Sequence, residues 1–486
     1  MQQVRSFREN FPPRSIAIVG VSRRSRTNAP GYNGLKRLRI LRESGFKGPI
    51  YPIHPKMSEI DGLEVYPNLR ALPLTPDLVV VAVQAAVVPQ VLEDCVAAGV
   101  TAVQICTSGF GETGDAEGEV LEDRIREIAS RGDLCVIGPN CMGFHVPSAG
   151  IRMFEGTSLE EGPVAFVSQS GGHAFTFLKH GEDFGLGFSK VVSYGNALTM
   201  DAPDFLEYLA GDPETRIICM YIEGVRDGRR LVEQVRRTNP SKPVIIWKGG
   251  LTQSGARAAA SHTGSLAGDR RVWEAFFKQT GAIRVGSIEE MVESAFTLLA
   301  LRRSPSRRVA VLSSGGGANV ATGDICAEEG LEVPPLTDRM KSSLLEFVSS
   351  INQGLTNPLD VPGVLANLPV LERTVEVLAG GDLIDTVILH LSASFFSGPL
   401  KERMEQFRET VLGLNRRVPA SKAVAVALDD SYRFDDTDAC ARRLRKAGIV
   451  TFTSLRKACR ALHRFATYNG FLEEMEGPGR SLRSAS

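Results

Sequence analysis

Three times along the chain a short apolar run ends in a Gly/Ser turn and hands over to a helix-forming segment. The three are "SIAIVGVSRRS" at 15–25, "PVAFVSQSGGHAF" at 163–175 and "RVAVLSSGGGANVATGDICAEEG" at 308–330. A run that is apolar throughout has no solvated face, so it predicts a strand covered by helices on both sides. Further runs of this kind are "LVVVAV" (78–83), "AVQIC" (102–106), "RIICMYI" (216–222), "PVIIWKG" (243–249) and "DTVILHL" (385–391), each between helix-like stretches. Alternation of strand and helix predicts parallel sheets, and each opening reads as the first βα unit of a doubly wound domain. With 486 residues the chain exceeds one core and has room for about three domains. The expected fold is α/β, three doubly wound domains in series: 1–147, 148–303 and 304–468, with 469–486 read as a disordered tail. The boundaries fall in the loops "PSAGIRMFEGTSLEEG" and "LRRSPSR".

Composition removes several classes of function. Lys+Arg and Asp+Glu both number 56, so no net field draws the chain to nucleic acid or to an anionic membrane. The longest apolar stretch, "LVVVAVQAAVVPQVL", is interrupted by Gln84 and Pro89, which argues against a membrane span. The first residues, "MQQVRSFRENFPPRS", lack the apolar core of a signal peptide. Eight cysteines occur with no Cys-x-x-Cys and no histidine at metal-ligand spacing, which fits reduced thiols in a cytoplasm better than zinc or disulfides.

Glycine turns at the carboxyl ends of parallel strands present free N–H groups and a helix dipole to an anion. The first such turn, Gly20 to Ser22, belongs to a Rossmann-like domain without G-x-G-x-x-G and without an acidic residue ending its second strand. That strand ends instead in "YPIHPK", where His54 and Lys56 are either phosphate ligands or solvated surface groups. The loop Ser108–Glu112 and the turn Gly138–Gly143 fall at the same binding edge. Cys141 reads either as a nucleophile, with no base in view, or as a small buried side chain.

The second domain carries the chemistry. Glu223 follows an apolar strand, where an isolated carboxylate is either functional or a simple helix cap. The next strand gives way to "GGLTQSGARAAASHTGSLAG" before Asp269, which is placed to cap a helix over "RRVWEAFFKQTG". Long ordered loops in such domains are usually functional. The small residues around His262 leave room for something to approach its imidazole. Because successive strands end on one edge, Glu223 and His262 face each other there, beside the bare N–H groups of Ser170, Gly171 and Gly172 in "SQSGG". A neutral imidazole held by a carboxylate, next to an anion-binding turn, is a layout for nucleophilic phosphoryl transfer. His173 follows that turn and stands at the same anion site. His390, inside an apolar strand, and His463, in a terminal helix, read as core histidines.

These motifs together resemble the α subunit, or α half, of the NDP-forming acyl-CoA synthetases, relatives of succinyl-CoA synthetase. "IAIVGVS", "GFKGPIYPIHPK", "TSGFGETG" and "GPNCMG" resemble that family's CoA-binding domain. "VAFVSQSGG", "SYGNALTMDAPDFLEYLAGDP", "YIEGVRDGRR" and "AAASHTGSLAGD" resemble its flavodoxin-like ligase domain, and "SSGGGANVATGD" with "NPLDVPG" the second such domain. The resemblance implies that His262 is transiently phosphorylated, that Glu223 hydrogen-bonds it, and that Ser170, Gly171 and Gly172 bind phosphate. It implies CoA contacts at Gly20, Ser22, Lys56, Ser108 and Phe110, and an acyl and thiol site around Glu112, Asn140 and His173. The implied reaction converts acid, CoA and ATP to acyl-CoA, ADP and phosphate, reversibly, with Mg²⁺ shielding the phosphates.

The departures lie near the implied pocket: "IHP" where the family has "VNP", "VQA" at Val83–Ala85 where it has "VPA", and His173 where relatives carry a small or apolar residue. No stretch resembles an ATP-grasp nucleotide domain, and "SSGGG" is not followed by the Gly-Lys-Ser/Thr of a P-loop. A separate ATP-grasp β subunit, and hence a hetero-oligomer, is therefore expected. Two other functions stay open at this stage: a CoA-binding regulatory protein without catalysis, and a related acyl or carbamoyl transferase that uses no nucleotide.

Overall fold

The structure is a computed structural model that describes residues 7, 11–23, 33–257, 268–301, 306–313, 316–348, 355–360, 364–365, 367–392, 401–419, 421–429 and 434–476. His262 and residues 477–486 lie outside the described residues, whereas residues 469–476, the first part of the expected disordered tail, belong to a helix, Leu455–Glu476. The chain forms two compact units, 1–182 with 186–291, and 183–185 with 292–486.

The first unit holds two sheets. Strands β1 (Ile16–Val19), β2 (Ile50–Ile53), β5 (Leu78–Val81), β6 (Ala102–Ile105) and β7 (Cys135–Ile137) are all parallel, and between β2 and β5 lies a small antiparallel pair, β3 (Glu59–Ile60) with β4 (Leu63–Glu64). Their order is β2-β1-β5-β6-β7, so the chain winds outward in both directions from β1. Nearly every residue of these strands is buried, as apolar runs between two helix layers must be. One face packs on Val88, Leu92, Ile125 and Ile128 from helices α2 (Val88–Ala97) and α3 (Ala116–Arg131). The other packs on Leu35, Leu38 and Leu41 of helix α1 (Gly34–Glu43).

The second sheet takes up the chain at β8 (Gly143–His145), which lies antiparallel at its edge; the crossing from the first sheet therefore occurs at Gly143, inside "GPNCMG". Strands β9 (Glu161–Ser168), β10 (Phe188–Ser193), β11 (Ile217–Ile222), β12 (Val244–Lys248) and β13 (Ile283–Val285) complete it in the order β13-β12-β11-β9-β10-β8. Between them run helices α4 (Gly171–Phe184), α5 (Ala202–Ala210), α6 (Gly228–Thr238) and α7 (Arg270–Thr280). Asp269 caps α7 as its sequence position suggested, its side chain accepting from the Arg271 N–H at 2.7 Å.

The second unit holds a third sheet of parallel strands, β14 (Val309–Ser313), β15 (Leu359–Asp360), β16 (Thr386–Ser392), β17 (Ala423–Asp429) and β18 (Thr451–Phe452), in the order β15-β14-β16-β17-β18. Counting parallel strands only, all three sheets place the second strand outside the first and run the rest to the other side, with the antiparallel β8 added beyond β10 in the second sheet. This is the flavodoxin-like order among doubly wound sheets, and its switch point lies between the first and third strands. Of the two histidines read as core residues, His390 is buried with its Nε2 2.9 Å from the Asp429 carboxylate, while His463 is half-buried and its Nδ1 donates to the Gly330 carbonyl at 3.1 Å. Among the described residues no helix is long and apolar enough to cross a membrane, and no group of His, Cys, Asp and Glu is placed to hold a metal ion.

Candidate active site

The switch point of the first sheet opens into a cleft of about 1040 Å³. Its floor is the carboxyl ends of four strands: Val19 and Gly20 after β1, Ile53 and His54 after β2, Ala82 to Gln84 after β5, and Thr107 and Ser108 after β6. Its walls are the N-terminus of α1, at Asn33 and Gly34, and the face of α2 that carries Gln90, Val91 and Asp94. Glycine is needed twice. Gly20 has φ +99°, and a Cβ there would meet the Ala82 carbonyl oxygen at 2.3 Å; a Cβ on Gly34 would meet the Gly20 carbonyl at 2.6 Å. The turn and the helix N-terminus are pressed together at the edge of the cleft. The Asn33 side chain caps that helix, accepting from the Lys36 N–H at 3.1 Å.

Gly20, Ser22 and Ser108 line this cleft, together with the unusual His54 and Gln84. Lys56 is exposed two residues beyond His54, to whose Nδ1 its N–H donates at 3.2 Å. The Phe110 side chain is fully buried in the core with Ile125 and Ile128. Cys141 is also buried; its thiol points at the Ile105 carbonyl at 3.3 Å, and burial holds its pKa well above the usual thiol value, which suits a packing residue.

Beside the cleft, the turns of the two sheets interlock. The Glu112 carboxylate accepts from the N–H groups of Gly109 (2.6 Å) and Phe110 (3.2 Å) and from the Asn196 side-chain amide (2.6 Å). Asn140, at φ +56°, donates its N–H to the Thr107 carbonyl at 2.8 Å, and its side-chain amide lies 3.5 Å from the Asn196 oxygen. Glu112 and Asn140 are thus brought together, with Asn196 as the link.

The third cluster sits at the carboxyl edge of the second sheet. Ser170 caps α4: its hydroxyl accepts from the His173 N–H at 3.4 Å, while Gly171 and Gly172 open the first turn. Gln169, just before, accepts from the backbone N–H groups of Glu223 (2.5 Å) and Gly224 (2.9 Å). Lys248 Nζ donates to the Glu223 carbonyl at 2.7 Å and to the Gly249 carbonyl. Burial lowers the Lys248 pKa to about 8, against the pull of Glu223. The Glu223 side chain is buried, and the Tyr221 hydroxyl donates to its Oε1 at 3.1 Å. His173 packs edge-on to Tyr221, with ring centroids 4.3 Å apart, and against Trp247 at 4.7 Å. Lys248 ends β12, ahead of the segment that carries His262, and its Nζ lies 5.3 Å from the ring centre of Trp273 on α7.

Comparison with known proteins places this geometry. Residues 14–147 match the family model of a CoA binding domain, and residues 161–298 that of a succinyl-CoA ligase like flavodoxin domain. The α subunit of acetate–CoA ligase (ADP-forming) II from Pyrococcus furiosus is 37% identical over 353 residues, covering 72% of this chain and 75% of that subunit. The chain belongs to the ADP-forming acyl-CoA ligase family. Acetate–CoA ligase (ADP-forming) I from Archaeoglobus fulgidus is 34% identical over 460 residues, 94% of this chain, yet this chain spans only 63% of that ligase. The solved structure of the dinucleotide-forming acetyl-coenzyme A synthetase 1 of Ca. Korarchaeum cryptofilum, in complex with phosphate and ADP, superposes with a TM-score of 0.82 at 28% identity, covering 99% of this chain and 100% of that one. In this ligase-family chain the cleft falls within the first matched segment and the Glu223 cluster within the second.

Four residues of these clusters, Gln169, Asn196, Tyr221 and Lys248, were not singled out from sequence. Gln169 and Asn196 lay inside quoted motifs, but their partners are 54 and 84 residues away. Tyr221 alone had a local signal. It precedes Glu223 by two residues in a strand, and so shares its face.

Proposed function

We propose that this chain is the α part of a cytoplasmic acyl-CoA ligase that interconverts a carboxylic acid, CoA and ATP with acyl-CoA, ADP and phosphate. CoA enters the cleft at the first switch point, with its phosphates toward the N-terminus of α1 and its thioester beside Ser108, Glu112 and Asn140. Phosphate attacks the thioester carbonyl and the CoA thiolate leaves, giving an acyl phosphate. The neutral imidazole of His262 attacks phosphorus, and the carboxylate leaves. Phosphohistidine then passes the phosphoryl group to ADP. Glu223 accepts the imidazole N–H and offsets the positive charge that develops as the N–P bond forms. The N–H groups at Ser170, Gly171 and Gly172 receive the phosphoryl oxygens.

One observation carries this reading: the buried Glu223 carboxylate is fixed at the sheet edge, its backbone held by Gln169 just before the Ser170 turn and by Lys248 at the end of the next strand. The relatives support a small acid as substrate, since several are acetate–CoA ligases. Relatives described as α subunits, and a single-chain ligase longer than this chain, support a nucleotide site on another chain or segment. We assign that site, with its Mg²⁺, to an ATP-grasp β partner in a hetero-oligomer. The test is to incubate the chain and partner with terminally labelled ATP and Mg²⁺ and to look for acid-labile label on His262. His262→Ala should abolish the label and leave CoA binding intact. No label from ATP, and none from acyl-CoA with labelled phosphate, would rule the reading out.

A further inference from the structure

We infer that Tyr221 is a positioning residue for phosphoryl transfer, its hydroxyl setting the orientation of the Glu223 carboxylate that meets His262. The inference rests on the phosphohistidine reading above and concerns how the carboxylate is held. Gln169 and Lys248 grip Glu223 by its backbone, one at the N–H and one at the carbonyl. Tyr221 grips the carboxylate itself. The two residues are i and i+2 at the end of β11, so both side chains leave the same face of the sheet and the phenol reaches forward to the acid.

Two further features hold the hydroxyl in place. The first is a cluster of three rings. Trp247 is the register partner of Tyr221 on β12, with centroids 4.8 Å apart, and His173 from the first turn of α4 packs against both, 4.3 Å from Tyr221 and 4.7 Å from Trp247. The second is a missing side chain. A Cβ on Gly249 would stand 2.7 Å from the Tyr221 oxygen, so only glycine leaves the hydroxyl where it is. The register and the glycine are independent, and both serve one oxygen atom. Burial, with Glu223 adjacent, pushes the phenol pKa well above its usual value, so Tyr221 remains a donor throughout the working range. His173, the departure from the family pattern, thereby gains a role through Tyr221 with no contact to substrate required.

The experiment compares wild type, Tyr221→Phe, Gly249→Ala and Glu223→Gln, each as the full chain assembled with its nucleotide-binding partner. The readouts are the rate of His262 labelling from terminally labelled ATP, and separately from acetyl-CoA with labelled phosphate. A hydrogen bond to a charged group leads us to expect about tenfold slower labelling in Tyr221→Phe, with KM for ATP and for acetyl-CoA within about twofold of wild type. Gly249→Ala should give the same split by displacing the hydroxyl. Wild-type rates in Tyr221→Phe alongside a defective Glu223→Gln would overturn the inference and leave the phosphohistidine reading intact. A loss of rate that follows a loss of folded protein would make Tyr221 a core residue only. If wild type itself takes no label from either donor, the phosphohistidine reading fails and the inference falls with it.

Discussion

A Cβ placed on Gly171 would lie 2.4 Å from Cγ of Met142. Gly171 begins the helix of the phosphate turn, and Met142 belongs to the segment that crosses from the first sheet to the second. The Met142 carbonyl is held by Arg37 Nη1 of α1 at 2.6 Å, and its N–H donates to the Ser193 hydroxyl at 3.1 Å. The residue cannot simply step aside. The proposed phosphate site is therefore built against the acyl side of the first sheet, at a contact with no spare room.

Gly171→Ala should consequently overpack this joint and destabilise the chain by about 1–3 kcal/mol. Met142→Ala in the same chain should return much of that stability, because it empties the space the new methyl needs. Thermal unfolding of the two single variants and the double variant measures the coupling. Strictly additive losses would mean that the two residues do not share the space.

At Gly20 the obstacle is backbone. A side chain there meets the Ala82 carbonyl and must also adopt φ +99°, which adds about 1–3 kcal/mol of strain. Gly20→Ala should weaken CoA binding at least tenfold in calorimetric titration, since the strained turn is the floor of the cleft. Gly172→Ala is the contrast. Its Cβ would find nothing nearer than the Ser170 hydroxyl at 3.8 Å, so the fold should be retained and any loss should appear only in His262 labelling.

Strands were legible in the sequence because parallel strands buried on both faces leave unbroken apolar runs. "RIICMYI" became Ile217–Ile222 and "PVIIWKG" became Val244–Lys248. The Asp269 cap was legible because a cap is local. Glu223 was legible as a carboxylate just past a strand, but its holders were not, since Gln169 and Lys248 reach it across strand pairings no local pattern encodes. Phe110, within "TSGFGETG", reads as a residue at the binding edge, and the burial of its ring with Ile125 and Ile128 is nothing the motif's spacing encodes. Asn196 was hidden because its partner Glu112 belongs to the other sheet.

Lys248 gives a prediction in pH. Its pKa is about 8 when folded and near 10.5 when unfolded, so between those values the unfolded chain binds the extra proton. Stability from this group therefore rises as pH increases through that window, and is least below about pH 8, where the buried ammonium is charged in both states. Lys248→Met should lower stability overall, because it leaves the carbonyls of Glu223 and Gly249 without this donor. Its urea midpoint should also lack this component of the rise between about pH 8 and 10.5. Parallel pH dependences for wild type and variant would contradict the assignment.

The Glu112–Asn196 bond should separate the two halves of the proposed reaction. It joins a turn of the first sheet to a turn of the second. Asn196 is held there because Gly195, at φ +57°, lets its backbone pass where a Cβ would lie 2.1 Å from the Pro139 carbonyl. Removing the amide in Asn196→Ala takes one of three donors from a half-buried carboxylate, a contact to a charged group that contributes about 1.5–3 kcal/mol. The Glu223 cluster does not depend on that bond. Asn196→Ala should therefore label His262 from ATP at close to the wild-type rate while forming acyl-CoA at least tenfold more slowly. Glu112→Gln should show the same split, since a neutral amide accepts less strongly from the same N–H groups, and the double variant should cost less than the sum of the two. Equal losses in labelling and in thioester formation would instead mark the bond as a general support of the fold.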